Sequence, residues 1–209
     1  MKEHRVRKTS LVAILVCIIS VIATGACSDD ENGRVPSVVN EFANVRSDSV
    51  GQLYEFTTDG GKTFGIQNKL TGYDSCRVYR TICGYVAEGN MATIYELQGV
   101  YVLRDSSAIA RHDPTNVLSV WSTSRYLNMQ LTPKTHGAHH GWGFAMDSLR
   151  PGHAYLSLHH NQYDDDTAYS TTIYASLPFD SIRGLQKGDS VSLSIHTFQG
   201  LKSFRFRKP

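Results

Sequence analysis

The 209-residue chain lacks three things that would place it quickly: a strong charge of one sign, a helical period, and a cysteine framework. Residues 1–26 hold four of the 21 basic residues (Lys2, Arg5, Arg7, Lys8) and one of the 19 acidic ones (Glu3). The formal net charge of +2 therefore becomes 17 basic against 18 acidic, or −1, for a chain beginning at Cys27. So weak a field gives no attraction to nucleic acid or to an anionic bilayer, and no nucleic-acid partner is expected. Beyond Cys17 and Cys27, the only cysteines are Cys76 and Cys83. Seven positions apart on one extended strand they would lie about 23 Å from each other, far outside disulfide reach. A bridge would need a turn between them, and "RVYRTI" offers no turn residue. Cys83 reads instead as a small buried apolar residue. Catalytic signatures are missing as well. There is no GxSxG elbow and no HExxH pair, and neither cysteine has a neighbouring cue for a lowered pKa. No catalytic residue, no cofactor and no enzymatic activity are expected.

What is present begins at the N-terminus. Residues 2–8 are basic, residues 11–23 ("LVAILVCIISVIA") are apolar and uncharged, and small residues lead to Cys27. This is the three-part layout of a secretion signal. Its apolar run of 13 residues is well short of the roughly 20 needed for a permanent span. Thr24-Gly25-Ala26-Cys27 resembles a bacterial lipobox, with threonine where leucine is usual. The resemblance implies that Cys27 is acylated and becomes the first residue of the mature protein. Each buried methylene adds about 0.8 kcal/mol, so several acyl chains hold a soluble domain at a membrane. "SDDE" after the cysteine resembles the acidic export tag that sends Bacteroidetes lipoproteins to the outer face of the outer membrane. The expected location is therefore the outer membrane or cell surface.

The 183 residues from Cys27 onward suit one domain or two small ones. Period-two alternation dominates them. "LYEFTTDGGKTFGIQN" (53–68) reads as a hairpin, because Asp59-Gly60-Gly61 can supply positive φ angles. "CRVYRTICGYVA" and "ATIYELQGVYVL" are long strands with apolar residues on both faces, as a small closed barrel with a partly covered outside requires. After "RHDPTN" (111–116) the pattern becomes greasy on one face and polar on the other. "HAYLSLHH", "DSVSLSIHTF" and "KSFRFRKP" all read this way, as in a sandwich. The expectation is an all-β chain. Residues 1–26 are a lipoprotein signal peptide, 27–47 an acidic flexible linker, 48–111 an OB-like β-barrel and 112–209 a β-sandwich.

"YEFTTDGGKTFGI", "RYLNMQL", "AYLSLHHNQYDDDTAY", "LPFDSI" and "GDSVSLSIHTFQGLKSFRF" follow one another in an order that resembles the NigD-like lipoproteins of Bacteroidetes. The resemblance runs from about Leu53 to Pro209. It implies an OB-type N-terminal barrel and a C-terminal β-sandwich. It also implies a binding role, either in bacteriocin immunity, which was proposed for the family's founding gene, or as an accessory to an envelope complex. It supplies no catalytic residues. "WSTSRYLNMQLTPKTHGAHHGWGF" is richer in histidine and glycine than the resemblance leads one to expect.

Seven of the nine histidines lie between positions 136 and 196. Clustered imidazoles are the natural ligands of zinc or copper. His136, His139 and His140 on one loop are the candidate metal ligands, with Asp164, Asp165 or Asp166 as oxygen donors. A metal-dependent envelope enzyme built on the histidine cluster 136–160 is thus the alternative function. Against it, His153 and His196 fall on the polar side of their strands. His160 falls in phase with Leu156 and Leu158, as a strand-end residue bonded to backbone. "YDDDT" has no glycine for the wrap of a calcium loop. Tyr79, Tyr85, Tyr95 and Tyr101 recur in one phase of the long strands. They are the candidate partner-binding residues, or else the surface through which the two modules pack. The expected partners are the membrane, through Cys27, and a protein or peptide.

Overall fold

The computed structural model describes residues 37–106 and 111–209. The signal segment, Cys27 and the acidic run after it lie outside the described residues. Five strands form the first module: β1 (Val39–Ser47), β2 (Leu53–Thr58), β3 (Thr63–Leu70), β4 (Val78–Glu88) and β5 (Met91–Gly99). They close in the order β1-β2-β3-β5-β4. The hairpin turns sit where glycine supplies positive φ, at Gly61 (85°) and Gly89 (65°). Ala43, Val45, Leu53, Phe56, Cys83, Tyr85 and Ile94 fill the interior.

The seam between β3 and β5 is the weak point of this closure. Only two parallel pairs hold it, Gly65–Met91 and Ile66–Ala92. Asn68 extends it with its side chain. The Ile94 N–H donates to Asn68 Oδ1 at 3.0 Å, and Asn68 Nδ2 donates to the Ile94 carbonyl at 2.8 Å. The side-chain amide stands in for a missing ladder rung.

The second module holds the remaining strands: β6 (Tyr101–Val102), β7 (Asn116–Ser122), β8 (Tyr126–Thr132), β9 (Lys134–Thr135), β10 (Gly141–Arg150), β11 (His153–Asn161), β12 (Tyr169–Ser170), β13 (Ile173–Pro178), β14 (Ser190–Thr197) and β15 (Gly200–Arg207). Two four-stranded sheets, β6-β13-β8-β7 and β10-β11-β14-β15, face each other, and β12-β9 forms a small ribbon. Leu127, Met129, Phe144, Leu156, Leu177 and Leu193 are among the residues buried between the sheets. Among the described residues there is one 3₁₀ turn, Phe179–Ser181, and no α-helix. The chain is an all-β protein, a small barrel followed by a sandwich.

Two boundaries differ from the sequence reading. Residues 39–47, expected within the linker 27–47, form β1 of the barrel. Of their inward residues Ala43, Val45 and Ser47, one is small and one polar, while the outward Phe42 is aromatic, so the usual greasy-in, polar-out pattern is blurred. The module boundary also comes earlier than 111. The barrel ends at Gly99, and Tyr101–Val102 already pair with Ala175–Ser176 of β13. The Asp113-Pro114 break lies inside the sandwich module. There the Asp113 N–H donates to the His160 carbonyl and the Thr115 N–H to the His196 carbonyl, both at 3.0 Å.

The barrel rests on the outer face of the β6-β13-β8-β7 sheet. Arg80 of β4 donates twice to Asp59, once to Ser176 Oγ at 3.1 Å and once to Asn128 Oδ1 at 3.1 Å. Its guanidinium also lies 3.9 Å from the Tyr126 ring centre. Phe42 meets Trp121 edge-on at 5.3 Å and Tyr174 at 5.9 Å. Aromatic contacts ring a satisfied buried ion pair, which holds the modules in one arrangement.

The histidine network and candidate binding faces

β10 and β11 bring the two histidine-rich strings of the sequence together. His140 precedes β10, and Gly141 pairs with Asn161 at the end of β11. His160 therefore faces inward beside Trp142. The two rings stack at 4.0 Å with planes 9° apart. His140 is buried next to them, with Nδ1 2.9 Å from His160 Nε2 and Nε2 2.9 Å from Asp165 Oδ2.

The acceptor beside His160 sets the tautomer of its ring. His160 Nδ1 lies 2.9 Å from the Asp113 carbonyl, which can only accept, so Nδ1 carries hydrogen. Burial pushes the His160 pKa down to about 4, so the ring is neutral at physiological pH and Nε2 accepts from His140 Nδ1. The Thr135 hydroxyl, ahead of His140 and the His136 N–H, holds the Asp165 carboxyl down at about 2. His140 Nε2 faces the ionised Asp165 carboxylate, so all four nitrogens of the two imidazoles are occupied.

The three metal candidates fall in different settings. His140 is tied to Asp165 and His160. His136 meets Asp165 through its backbone N–H, and the His139 ring sits 6.3 Å from that of Tyr101. Among the described residues no three His, Cys, Asp or Glu side chains are placed to hold a metal ion. The sequence places Asp165 beside the histidines but cannot reveal that its role is to lock the loops. The register of β10 on β11 decides that.

On the other face of β11, His159 meets Ser106. The Ser106 hydroxyl is 3.1 Å from His159 Nδ1, a spacing that suggests a nucleophile and its base. The same Nδ1 is 3.1 Å from the Ser106 carbonyl. It must donate there and cannot take the hydroxyl proton. Burial lowers the His159 pKa, which keeps the ring neutral. His112 packs edge-on against His159 at 4.8 Å and stacks on His196 at 4.9 Å.

The four candidate tyrosines do not share a face. Tyr85 is buried in the barrel against Phe56 and Phe64, and its hydroxyl donates to Glu41 at 2.8 Å. Burial, followed by that carboxylate, pushes its pKa up. Tyr79 packs on the barrel core and accepts from the Asp74 N–H at 2.7 Å. Tyr101 lies against the sandwich core. Tyr95 alone is open to solvent, 65% exposed. A bulge causes the split. The β4 register steps from Gly84–Glu96 to Tyr85–Ile94, leaving Tyr95 unpaired and outward. The modules pack through Phe42, Arg80, Trp121 and Tyr126 rather than through these tyrosines. Cys76 and Cys83 are both free, Cys76 exposed and Cys83 buried.

Residues 100–207 match the family model described as the NigD-like C-terminal beta sandwich domain. The chain belongs to the NigD-like family. Its fold recurs in solved structures. A NigD-like immunity protein from Bacteroides caccae is 22% identical, with 83% of this chain and 99% of that one covered at a TM-score of 0.66. A putative toxin-related protein from Parabacteroides distasonis is 15% identical over 82% and 93%, with a TM-score of 0.68. A putative lipoprotein from Bacteroides fragilis is 10% identical over 83% and 99%, with a TM-score of 0.59. No curated protein matches. At these identities the likeness of the NigD-like chain to the solved structures is one of fold. The family match begins at residue 100, beside β6, where the described structure also starts the sandwich module.

Proposed function

We propose that this NigD-like chain is an envelope lipoprotein, tethered by acylation of Cys27, that acts by binding a protein partner, in the manner of bacteriocin immunity. The observation that carries the binding half is the closed accounting of the histidine network. The His140–His160–Asp165 cluster spends its ring nitrogens on internal bonds, which suits a rigid scaffold rather than a reaction centre. The tether half rests on the basic, apolar and small-residue order of residues 2–27. The names of the solved relatives, an immunity protein and a putative lipoprotein, agree with both halves.

The test is genetic. A strain lacking the gene is challenged with a panel of bacteriocin producers, alongside strains restored with the wild-type gene or with Cys27→Ser. The proposal expects increased sensitivity to at least one producer, reversed by the wild-type gene and not by the unacylated form. Unchanged sensitivity across a broad panel overturns the immunity role. Full rescue by Cys27→Ser overturns the need for the tether.

A further inference from the structure

The sandwich has two outer faces, and the barrel covers one of them. The other, on β10-β11-β14-β15, carries Ser106 and His112 over His159 and His196 at one end, and no strand of the described residues lies over the rest. Its registers lay the outward side chains out in rows across the strands. One row runs Arg150–His153–Ser190–Arg207 and the next Ser148–Tyr155–Ser192–Arg205. The third, Ala145–Ser157–Ser194–Ser203, contains small side chains alone.

The first two rows are already organised. His153 stacks flat on Tyr155 at 4.2 Å with planes 8° apart. His153 Nε2 lies 2.8 Å from Ser192 Oγ, and the Arg150 guanidinium sits 5.5 Å from the Tyr155 ring centre. At the far edge Arg205 donates to Ser190 Oγ at 3.3 Å and Arg207 to the Gly188 carbonyl at 2.7 Å. Arg150, Arg205 and Arg207 are all exposed. Among the described residues, no ion pair uses any of them; the cationic partners are Arg46, Arg80, His140 and Lys208. Two carboxylates lie at the rim: Asp147 accepts from the Ser157 hydroxyl at 2.7 Å, and Asp189, beside Gly152, accepts from the Gln186 N–H at 2.8 Å.

Three unneutralised guanidinium groups therefore flank an ordered aromatic shelf and a trough of serines. Three strand spacings separate the arginine sites on β10 and β15, about 14 Å. Tyrosine and arginine dominate the energetics of protein interfaces, and arginine pairs with carboxylates through two parallel bonds. From this we infer that the outer face of the β10-β11-β14-β15 sheet is where the chain receives its partner, and that the partner presents an acidic protein surface spanning the two arginine sites. The inference rests on the binding role argued above and assigns it a surface and a chemistry.

The probe is a fluorescein-labelled glutamate decapeptide, followed by anisotropy with the mature lipidated chain in detergent micelles at low and high salt. Wild type is expected to bind, with affinity falling as salt rises. The triple variant Arg150→Ala, Arg205→Ala, Arg207→Ala is expected to bind at least tenfold more weakly with an unchanged melting temperature. Arg46→Ala with Arg77→Ala, on the barrel, is expected to bind as wild type does. Absence of binding by wild type at low salt, or equal binding by the triple variant, overturns the inference. Preferential competition by polygalacturonate also overturns it, by giving the face to an acidic glycan. A strain carrying the triple variant separates this inference from the broader role. Normal bacteriocin resistance there removes the face and leaves binding intact, whereas loss of resistance supports the face. If deletion of the gene changes no sensitivity, the immunity role fails and the decapeptide result alone judges the face.

Discussion

Arg80 and Asp59 meet in parallel, Nη1 to Oδ1 at 2.6 Å and Nη2 to Oδ2 at 2.7 Å, at the floor of the junction between barrel and sandwich. Asp59 comes from the β2–β3 turn, where a sequence reader sees only a turn former. Here its side chain also accepts from Asn128 Nδ2 at 2.8 Å. A barrel residue and a barrel turn thus present a satisfied charge pair to the sandwich, and the Arg80 side chain is only 3% exposed.

Removing one partner leaves the other buried and unpaired, which costs about 3–5 kcal/mol. Arg80→Met should therefore be strongly destabilising in urea unfolding. Arg80→Met with Asp59→Asn should recover part of the loss. A variant as stable as wild type would show that the junction contributes nothing to folding.

Acid should weaken the fold in a defined window. His160 and His159 both have folded pKa values below the ordinary 6.5, because burial disfavours the charged ring. The folded state binds fewer protons than the unfolded one between those values. The stability they contribute is intact above pH 6.5 and is lost as pH falls toward about 4 for His160. That loss is on the order of 3 kcal/mol for His160. Asp165 extends the decline only below its ordinary 3.8, as pH falls toward 2. Urea unfolding at steps between pH 7 and 4 measures the slope. His160→Gln, which keeps an amide to bond the Asp113 carbonyl, should flatten it.

Thiol chemistry should separate the two body cysteines. Burial, then the Glu41 charge, pushes the Cys83 thiol up to about 12, while Cys76 is exposed. In the acylated mature chain, maleimide should label one thiol under native conditions, on Cys76, and a second after denaturation. Two labels on the native protein would contradict the buried placement of Cys83.

Two glycines at positive φ should respond differently to alanine. At Gly51 (φ 76°) a Cβ would run into the Tyr73 carbonyl oxygen, whereas at Gly61 (φ 85°) nothing lies within 4 Å. Gly61→Ala should cost about 1 kcal/mol from backbone strain alone, and Gly51→Ala at least about 2 kcal/mol. Thermal melts of the two variants compare them directly. Equal melting temperatures would refute the contact at Tyr73.

The architecture was legible because alternation and glycine turns are local properties. β11, β14 and β15 show greasy and polar faces in their own residues, and His160 could be placed from its phase with Leu156 and Leu158. What escaped was whatever depended on register or on a partner module. Phe42 looks misplaced in a linker until Trp121 and Tyr174 cover it. Tyr95 shares a phase with Tyr79 and Tyr85 on paper, and one bulged residue separates them. The partner of His140 is Asp165, 25 positions further on, and their spacing in sequence does not reveal the contact. The adjacent rows that hold Arg150 and Arg207, and Tyr155 and Arg205, exist only once four strands are aligned.

The tether can be tested in one step, by intact mass spectrometry of the native protein extracted from membranes. The account expects a chain starting at Cys27 and heavier than its polypeptide by a diacylglyceryl group and any further acyl chain. An unmodified amino terminus, or a start at another residue, would contradict it.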